Sequence, residues 1–277
     1  MADAVTSLQR PLQTPRVAFR LDLKRLLAPA VGWFAPTLLV AVWQAGASFG
    51  WLSDSVLPSP LAVLAAGWRL TLSGDLPRNV EVSFLRAVAG LVVGGAIGFS
   101  FGLANGLSRL SDRLTDSTLQ MARNIPHLAL IPLVIVWFGI DEAAKLFLVA
   151  LGVFFPIYAN TLHGVRSVDP QLVEMAKSYG MRPLELFRQV VLPGALPSIF
   201  VGLRYALGVM WLTLIVAETI AAQSGVGYMA MQAREFLQID VVVLAIAIYA
   251  LLGKLADVVV RALERACLSW RPALHGD

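Results

Sequence analysis

The residues best suited to chemistry in this sequence are charged side chains within long apolar runs. A charge inside a bilayer costs about 2.5–3.5 kcal/mol on insertion scales, so it usually faces a cavity or a partner. Five residues are of this kind: Arg86, Arg204, Glu218, Lys254 and Asp257. Three of them, Arg86, Lys254 and Asp257, lie near the ends of their runs, where snorkelling to the membrane surface would explain them. Asp257 can also pair with Arg261, four residues further on.

Arg204 and Glu218 lie deeper and need partners within the membrane. On one straight helix they share a face but stand about 21 Å apart, so they cannot touch each other. Arg204 could form an ion pair, or it could be the cation that attracts an anion along a transport path. Glu218 could gate such a path or contact a neighbouring subunit. The candidate substrate path is therefore Arg204, Trp211, Glu218 and His127, although a tryptophan like Trp211 more often packs in a core or against lipid.

The patterns that would make this chain an enzyme are absent. A nucleotide-driven pump needs the phosphate loop G-x-x-x-x-G-K-[ST], and the only Gly-Lys pair, Gly253-Lys254, is followed by Leu255. The histidines are scattered and there is a single cysteine: His127, His163, His275 and Cys267. We therefore expect no catalytic residue and no bound metal.

Composition predicts an all-α integral membrane protein. The 277 residues are 57% hydrophobic and 14% charged, with a mean hydropathy of +0.72, far from the composition of a soluble domain. Six apolar runs approach the length that crosses a bilayer, at 29–49, 84–107, 125–140, 144–163, 194–220 and 240–260. Pro126 and Pro132 interrupt the third run, which predicts a tilted or kinked span.

The distribution of Lys and Arg predicts the topology. With the N-terminus inside, 15 of the 22 basic residues fall in cytoplasmic segments and 4 on the other side. Three regions follow: a cytoplasmic tail at 1–28, a transmembrane domain at 29–263 and a cytoplasmic tail at 264–277. The first tail carries an amphipathic segment suited to an anionic membrane surface, or, before Pro15, a disordered basic stretch.

A glycine occupies every fourth position of the second run, at Gly90, Gly94, Gly98, Gly102 and Gly106. Glycine is a poor helix former, so this regular placement needs a reason. Small side chains along one ridge let another helix approach closely. We expect this ridge to pack against a neighbouring helix, the alternative being a role in sliding helices past each other.

The polar segment at 169–193 predicts two short cytoplasmic helices. Asp169 can cap the first, Pro170 can take its first position, and Gly180 suits a left-handed C-terminal residue. Pro183 can begin the second helix, and Pro193 marks entry to the next apolar run. On the outer side, we expect a surface helix that ends near Gly74, and at 224–240 a Gly-rich turn with a short helix.

Six positions of this segment match a known pattern, which reads E-A-A, three residues, G, nine residues, I-x-L-P. They are Glu174, Ala176, Gly180, Val190, Leu192 and Pro193, with Met175 and Val190 as mild departures. Further matching stretches are LPSP at 57–60, LQMARNIPHLALIPLVIVWFGI at 119–140, FFPIYANT at 154–161, LPGALPSI at 192–199, IVAE at 215–218 and LERACLSWRPA at 263–273. The chain resembles the permease subunits of bacterial ABC importers, in the branch for nitrate, taurine and aliphatic sulfonates, and most closely the aliphatic sulfonate permeases.

This resemblance implies a type I importer permease with six transmembrane helices, like that of the methionine importer. Such a permease is a homodimer in the bacterial inner membrane that works with two copies of a cytoplasmic ATPase and a periplasmic binding protein. ATP and Mg²⁺ belong to the ATPase, and no nucleic acid is involved. The resemblance assigns contact with the ATPase to Glu174, Met175, Ala176, Tyr179, Gly180, Leu192 and Pro193.

Other interpretations remain open at this point. A taurine, nitrate or other small-anion permease fits the same motifs, because specificity in such systems lies largely with the binding protein. A secondary transporter could use Glu218 or Asp257 as a proton site, and a membrane-embedded enzyme or scaffold is a further alternative. The 224–240 stretch would dock the binding protein by resemblance, but it equally suits an interfacial cap with Tyr228 and Phe236 at headgroup level.

Overall fold

The computed structural model describes residues 23–270, with side chains from Phe34 onward except that of Ala221. The first 22 residues of the predicted N-terminal tail, with part of its amphipathic segment, and the last seven residues of the chain lie outside this range. Within it, all regular structure is helical, as the sequence predicted, and α-helices make up almost all of it. They are α1 Leu23–Ser48, α2 Pro60–Leu72, α3 Asp75–Leu107, α4 Arg109–Arg123, α5 Ile131–Phe138, α6 Glu142–Arg166, α7 Pro170–Ser178, α8 Pro183–Leu186, α9 Leu192–Ala221, α10 Val226–Glu235 and α11 Ile239–Cys267.

Four helices in the described range, α3, α6, α9 and α11, are long and apolar enough to cross a membrane. A fifth crossing results if α4 and the segment His127–Phe138 count as one broken span. α1 begins at the edge of the described range, and the apolar part from Phe34 is too short to be counted by itself. The structure thus supports four or five of the six predicted spans by length and composition.

The third predicted span is kinked, one of the outcomes that the sequence predicted. A 3₁₀ turn at His127–Leu130 precedes α5, which has only 8 residues, and the bend relative to α4 is 80°. Pro126 and Pro132 each remove a backbone donor, and a proline disfavours helical backbone in the residue before it. Ile131 and Val134 nevertheless bury against α6, so the short helix is held by packing.

The helix termini follow the local capping signals. Ser59 accepts a hydrogen bond from the amide of Ala62 at 3.2 Å and Pro60 takes the first position of α2. Gly74, with φ +83°, ends the turn after α2 as predicted, and α3 starts at once at Asp75. The second apolar run is therefore part of a helix that is 33 residues long.

The order of contacts gives the direction of each long helix. α6 lies between α3 and α9, and α11 packs on α9. Contacts from Gly90 to Gly106 advance along α6 from Val149 to Val165, so α3 and α6 are parallel. α9 is antiparallel to both, because Gly164 meets Ala195 near its start and Gly152 meets Thr213 near its end. α11 is antiparallel to α9, since Glu264 pairs with Arg204 and Tyr249 with Glu218.

One face of the bundle therefore carries the ends of α3, α6 and α11 together with the start of α9. We call it the inner face, and it includes α4, α7 and α8. The opposite, outer face carries α2, α10 and the starts of α3, α6 and α11. Those basic residues assigned to the cytoplasm that lie between positions 109 and 265 thus share one face.

Candidate functional site

The first part of the polar segment at 169–193 folds as the sequence predicted, as the separately capped helix α7 on the inner face. The Asp169 carboxylate accepts from the Gln171 amide at 2.8 Å, and Pro170 takes the first helical position. Gly180 adopts φ +80° just beyond the helix end, where the Met181 amide donates to the Ala176 carbonyl at 3.2 Å. Both ends of α7 are thus fixed by local contacts, so α7 can move as one body.

α7 exposes nearly all of its surface. Leu172, Met175 and Tyr179 are 48%, 52% and 82% exposed, and their spacing places them on one side of the helix. Glu174 and Lys177 are also exposed, whereas Ala176 is 2% exposed. This combination of a small buried contact with large exposed apolar side chains is typical of a surface that binds another protein.

A continuous helical path connects this segment to the membrane. α8 begins at Pro183, its start held by Glu185, which accepts from the Arg182 amide at 3.1 Å. A π-helical turn at Phe187–Val191 then joins it to α9, where Leu192 and Pro193 form the first turn. Pro193 lies in the first turn of α9, where the sequence predicted entry to the next apolar run, and the helical path continues into it from the π-helical turn. Displacement of α7 and α8 would therefore act directly on α9.

The glycine ridge of α3 is a close contact with α6, as one of the two sequence interpretations predicted. A Cβ on Gly94 would overlap the backbone of Ala150, and one on Gly98 would stand 2.6 Å from the Phe154 carbonyl oxygen. Gly102 meets Tyr158 and Thr161, while Gly90 and Gly106 meet Val149 and Val165. Because the opposing atoms at Gly94 and Gly98 belong to a backbone, they cannot rotate away, and α3 is locked against α6.

Small residues also bring α9 close to α6. A Cβ on Gly164 would stand 2.8 Å from the Ala195 carbonyl oxygen, and one on Gly202 3.0 Å from the Pro156 carbonyl oxygen. The Ser198 hydroxyl donates to the Asn160 carbonyl at 2.8 Å. α6 is thus held by close backbone contact on two sides.

A buried ionic network, which we call the outer network, joins α3, α6, α9, α10 and α11 near the outer face. Its centre is Glu218, whose carboxylate accepts from Arg86 at 2.8 Å, from the Ser83 hydroxyl at 2.8 Å and from the Tyr249 hydroxyl at 2.9 Å. The Gly227 amide completes the set at 2.9 Å. Every lone pair of this carboxylate has a donor, which offsets the cost of burying the charge.

Arg86 connects Glu218 to a second acid. Its other donors form a two-point contact with Glu142 at 2.6 Å each, and Lys145 donates to the same carboxylate at 3.0 Å. Arg86 and Lys145 are 7% and 3% exposed, whereas the Glu142 side chain is 66% exposed. The sequence interpretation of Arg86 as a snorkelling side chain is therefore wrong: it lies three turns inside α3 and points into the bundle.

The outer network also holds the connection between α9 and α10. Arg86 donates to the Ser224 carbonyl at 2.6 Å, the Val226 amide donates to Ser83 at 2.9 Å and the Gly225 amide donates to Asn79 at 2.7 Å. A side chain on Gly225 would overlap the Glu218 carboxylate. The turn at 224–227 is thus fixed by the same residues that pair within the membrane.

Arg204 forms an ion pair, one of the two alternatives for it. It contacts Glu264 at 2.5 Å and Asp257 at 3.6 Å, both on α11, and Asp257 also pairs with Arg261 as predicted. The Arg204 side chain is 44% exposed. These contacts lie toward the inner face, about 21 Å along α9 from Glu218.

The remaining path candidates lie in packed surroundings. Trp211 is 7% exposed and packs edge-on against Tyr249, with ring centroids 6.1 Å apart. His127, in the 3₁₀ turn, is hydrogen-bonded to buried Thr213 at 2.9 Å beside Gly152. Trp211 and Glu218 meet through Tyr249, but Arg204 and His127 have separate partners, so the four candidates do not form one cluster. Their role in a substrate path stays a prediction.

Several members of these contacts are not apparent from the sequence. Glu142 and Lys145 were overlooked, although their i, i+3 spacing at the start of an apolar run was a signal. Ser83 and Tyr249 gave no signal, because a hydroxyl in an apolar run has many uses. Asn105, which is 1% exposed and binds Thr115, Tyr158 and Ser111 near the inner face, was missed for the same reason.

This bundle of long apolar helices, with an exposed polar segment on one face, is that of a multi-pass membrane protein. A family model described as "Binding-protein-dependent transport system inner membrane component" matches residues 91–268, more than half of the chain. The chain belongs to this family of ABC importer permeases. It is therefore a non-catalytic membrane subunit, as the sequence predicted.

Two relatives with high coverage carry names of transport permeases. A protein named as an aliphatic sulfonates transport permease, SsuC of Escherichia coli (strain K12), is 61% identical over 253 residues, which are 91% of this chain and 96% of the relative. The taurine transport system permease protein TauC from the same strain is 35% identical over 271 residues, covering 96% of each chain.

Solved structures show the same fold. A chain from the crystal structure of an amino acid ABC transporter with histidines matches with a TM-score of 0.58 at 18% identity, covering 73% of this chain and 96% of that one. A chain of the inward-facing MetNI methionine ABC transporter matches with a TM-score of 0.50 at 20% identity, covering 69% and 95%. The predicted type I importer permease architecture is confirmed.

Proposed function

We propose that this chain is the permease of an ATP-driven importer for a small organic oxyanion, with aliphatic sulfonates as the substrate class. The observation that carries the mechanism is the capped, exposed helix α7, joined without a break to α9. The substrate class rests on the 61% identity to the relative named for aliphatic sulfonates. Taurine is the alternative that the more distant relative suggests.

Energy enters this chain through α7 on the inner face. The apolar side chains of Leu172, Met175 and Tyr179 fit a groove on an ATPase subunit, with Glu174 on the exposed surface beside them. ATP and Mg²⁺ bind to that subunit, since this sequence contains no phosphate loop. When two ATPase subunits close, α7 and α8 move and α9 moves with them, because Leu192 and Pro193 continue the same helical path.

The inner face lies in the cytoplasm, and both termini lie on that side. The charge bias of 15 against 4 basic residues supports this orientation. The parallel course of α3, α6 and α11 supports it too, because it brings the basic residues between positions 109 and 265 to one face. The outer face then meets the periplasm of a bacterial inner membrane.

A periplasmic binding protein delivers the substrate at the outer face. A polar cavity of about 520 Å³ opens there between α3 and α10. Its polar lining includes Asp75, Arg78, Asn79, Gln223, Gln232 and Gln238. These side chains offer both donors and acceptors to a docked loop, which favours docking at 224–240 over a purely interfacial cap. Two copies of this chain form the translocation path, with two copies of the ATPase.

Uptake by the reconstituted importer tests the substrate class. The permease, its ATPase and its binding protein are placed in proteoliposomes with ATP inside, and uptake of labelled ethanesulfonate, taurine and nitrate is compared. We expect ATP-dependent uptake that is greatest for the alkanesulfonate. Greater uptake of taurine or nitrate would show that aliphatic sulfonates are not the preferred substrates. Uptake driven by a proton gradient without the ATPase would instead establish a secondary transporter. The structure disfavours that alternative, because both candidate proton sites, Glu218 and Asp257, form ion pairs.

A further inference from the structure

α4 is an amphipathic helix with a solvent-facing apolar stripe at the inner face. Leu110, Leu114 and Met121 are 69%, 72% and 65% exposed, and their spacing places them on one side of the helix. Among the described residues, none of α4 is buried. An exposed apolar stripe beside polar and basic side chains suits contact with lipid acyl chains.

Polar contacts fix the orientation of that stripe. Ser111 donates to the Asn105 side chain at 2.6 Å, and the Asn105 amide donates to Thr115 at 2.7 Å. Asp112 pairs with Arg166 of α6 at 2.7 Å. These bonds turn the polar side of α4 toward α3 and α6, so the apolar stripe faces away from the bundle.

A basic cavity adjoins the stripe. It has a volume of about 540 Å³ and lies between the end of α3, the start of α4 and the end of α6. Arg109, Arg113 and Arg166 line it together with Asp112. Arg166 is paired with Asp112, whereas Arg109 and Arg113 have no carboxylate within ion-pair distance in the described part of the chain. The cavity therefore carries a net positive charge without a partner.

We propose that this cavity binds the phosphate headgroup of an anionic phospholipid, such as phosphatidylglycerol, from the inner leaflet. Arg109 and Arg113 contact the phosphate, and the acyl chains lie along Leu110 and Leu114. Basic cavities between transmembrane helices on the cytoplasmic side favour anionic headgroups for this reason. The adjoining apolar stripe favours a lipid over free phosphate, because only a lipid has acyl chains that can pack against Leu110 and Leu114.

The proposal uses the cytoplasmic orientation given under Proposed function, but its test does not depend on transport. The assembled importer is purified in detergent, phosphatidylglycerol is added, and bound lipid is counted by native mass spectrometry. Each arginine near an anionic surface contributes about fivefold in affinity. We expect Arg113→Gln to reduce lipid retention about fivefold, and the double variant Arg109→Gln/Arg113→Gln about thirtyfold.

Arg123→Gln is the matched control, because Arg123 is an exposed arginine on the same helix outside the cavity. It should retain the lipid as the unmodified protein does. Unchanged melting temperatures without lipid would show that all variants fold. Equal retention by all variants, or equal binding of phosphatidylcholine, would overturn the proposal. Displacement of the lipid by excess inorganic phosphate would overturn it too. Dissociation of two copies of the chain in the double variant would also contradict it, because that result would identify the cavity as part of a protein interface.

Discussion

Arg86 and Glu218 form an ion pair of 2.8 Å in which both side chains are buried, at 7% and 0% exposure. The two residues are 132 positions apart in the sequence, and their contact ties α3 to α9 near the outer face. Glu218 also binds the first turn of α10 and Tyr249 of α11. The pair therefore connects α9, the helix that α7 would displace, with the outer surface proposed to meet the binding protein. In the proposed mechanism, the outer network would hold the outer end of α9 while its inner end is displaced.

Removal of Glu218 should destabilise the chain strongly. In the Glu218→Ala variant, Arg86 keeps only Glu142 as an acidic partner, and several donors lose their acceptor. Loss of one partner from a buried pair costs about 3–5 kcal/mol. The melting temperature of the purified protein in detergent measures the effect. Glu235→Ala, which removes an exposed carboxylate on α10, is the control and should leave the melting temperature unchanged; equal melting temperatures for the two variants would exclude a structural role for the network.

Gly94 should tolerate no side chain. In Gly94→Ala, the new Cβ meets the backbone of Ala150, so α3 and α6 must separate, at a cost of about 1–3 kcal/mol. Gly208 on α9 is the control, since no atom lies within 4 Å of a Cβ there. Gly208→Ala should be neutral or stabilising by up to about 1 kcal/mol, because alanine is the better helix former. Thermal denaturation of both variants decides the matter, and similar stabilities would show that the ridge is not a close contact.

Arg204→Gln distinguishes an ion pair from a substrate contact. Both Arg204 and its partners are partly exposed, so the pair contributes only about 0–1 kcal/mol. We expect a small fall in melting temperature and an apparent affinity for the transported anion equal to that of the unmodified importer. Initial uptake rates over a range of substrate concentrations provide the measurement. A large loss of uptake at unchanged melting temperature would instead place Arg204 in the anion path.

Local signals explain what could be predicted from the sequence. The left-handed residue at Gly180 and the N-cap at Asp169 depend on neighbours within a few positions, and both are found. The glycine ridge from Gly90 to Gly106 also carries its own periodicity, so close packing could be expected without knowledge of the partner helix.

The contacts that could not be predicted from the sequence join residues on different helices. Arg86 meets Glu142 and Glu218, which lie on two other helices, and no spacing within one helix reveals such a contact. Its position near the end of an apolar run suggested the membrane surface, but α3 begins earlier, at Asp75. The sequence left two possible roles for Arg204, an ion pair or a cation in an anion path. The ion pair becomes apparent only when the position of α11 is known.

The ratio of substrate uptake to ATP hydrolysis in proteoliposomes tests the central claim, that α7 is where energy enters this chain. The double variant Glu174→Arg/Gly180→Pro alters an exposed carboxylate of α7 and the left-handed residue that ends it. Gly50→Pro/Asp54→Arg is the matched control, since Gly50 has φ +72° and both residues are exposed in an outer loop. We predict that the α7 variant inserts normally and hydrolyses ATP but transports at least about tenfold less per ATP, while the control stays coupled. Normal coupled transport by the α7 variant would contradict the account.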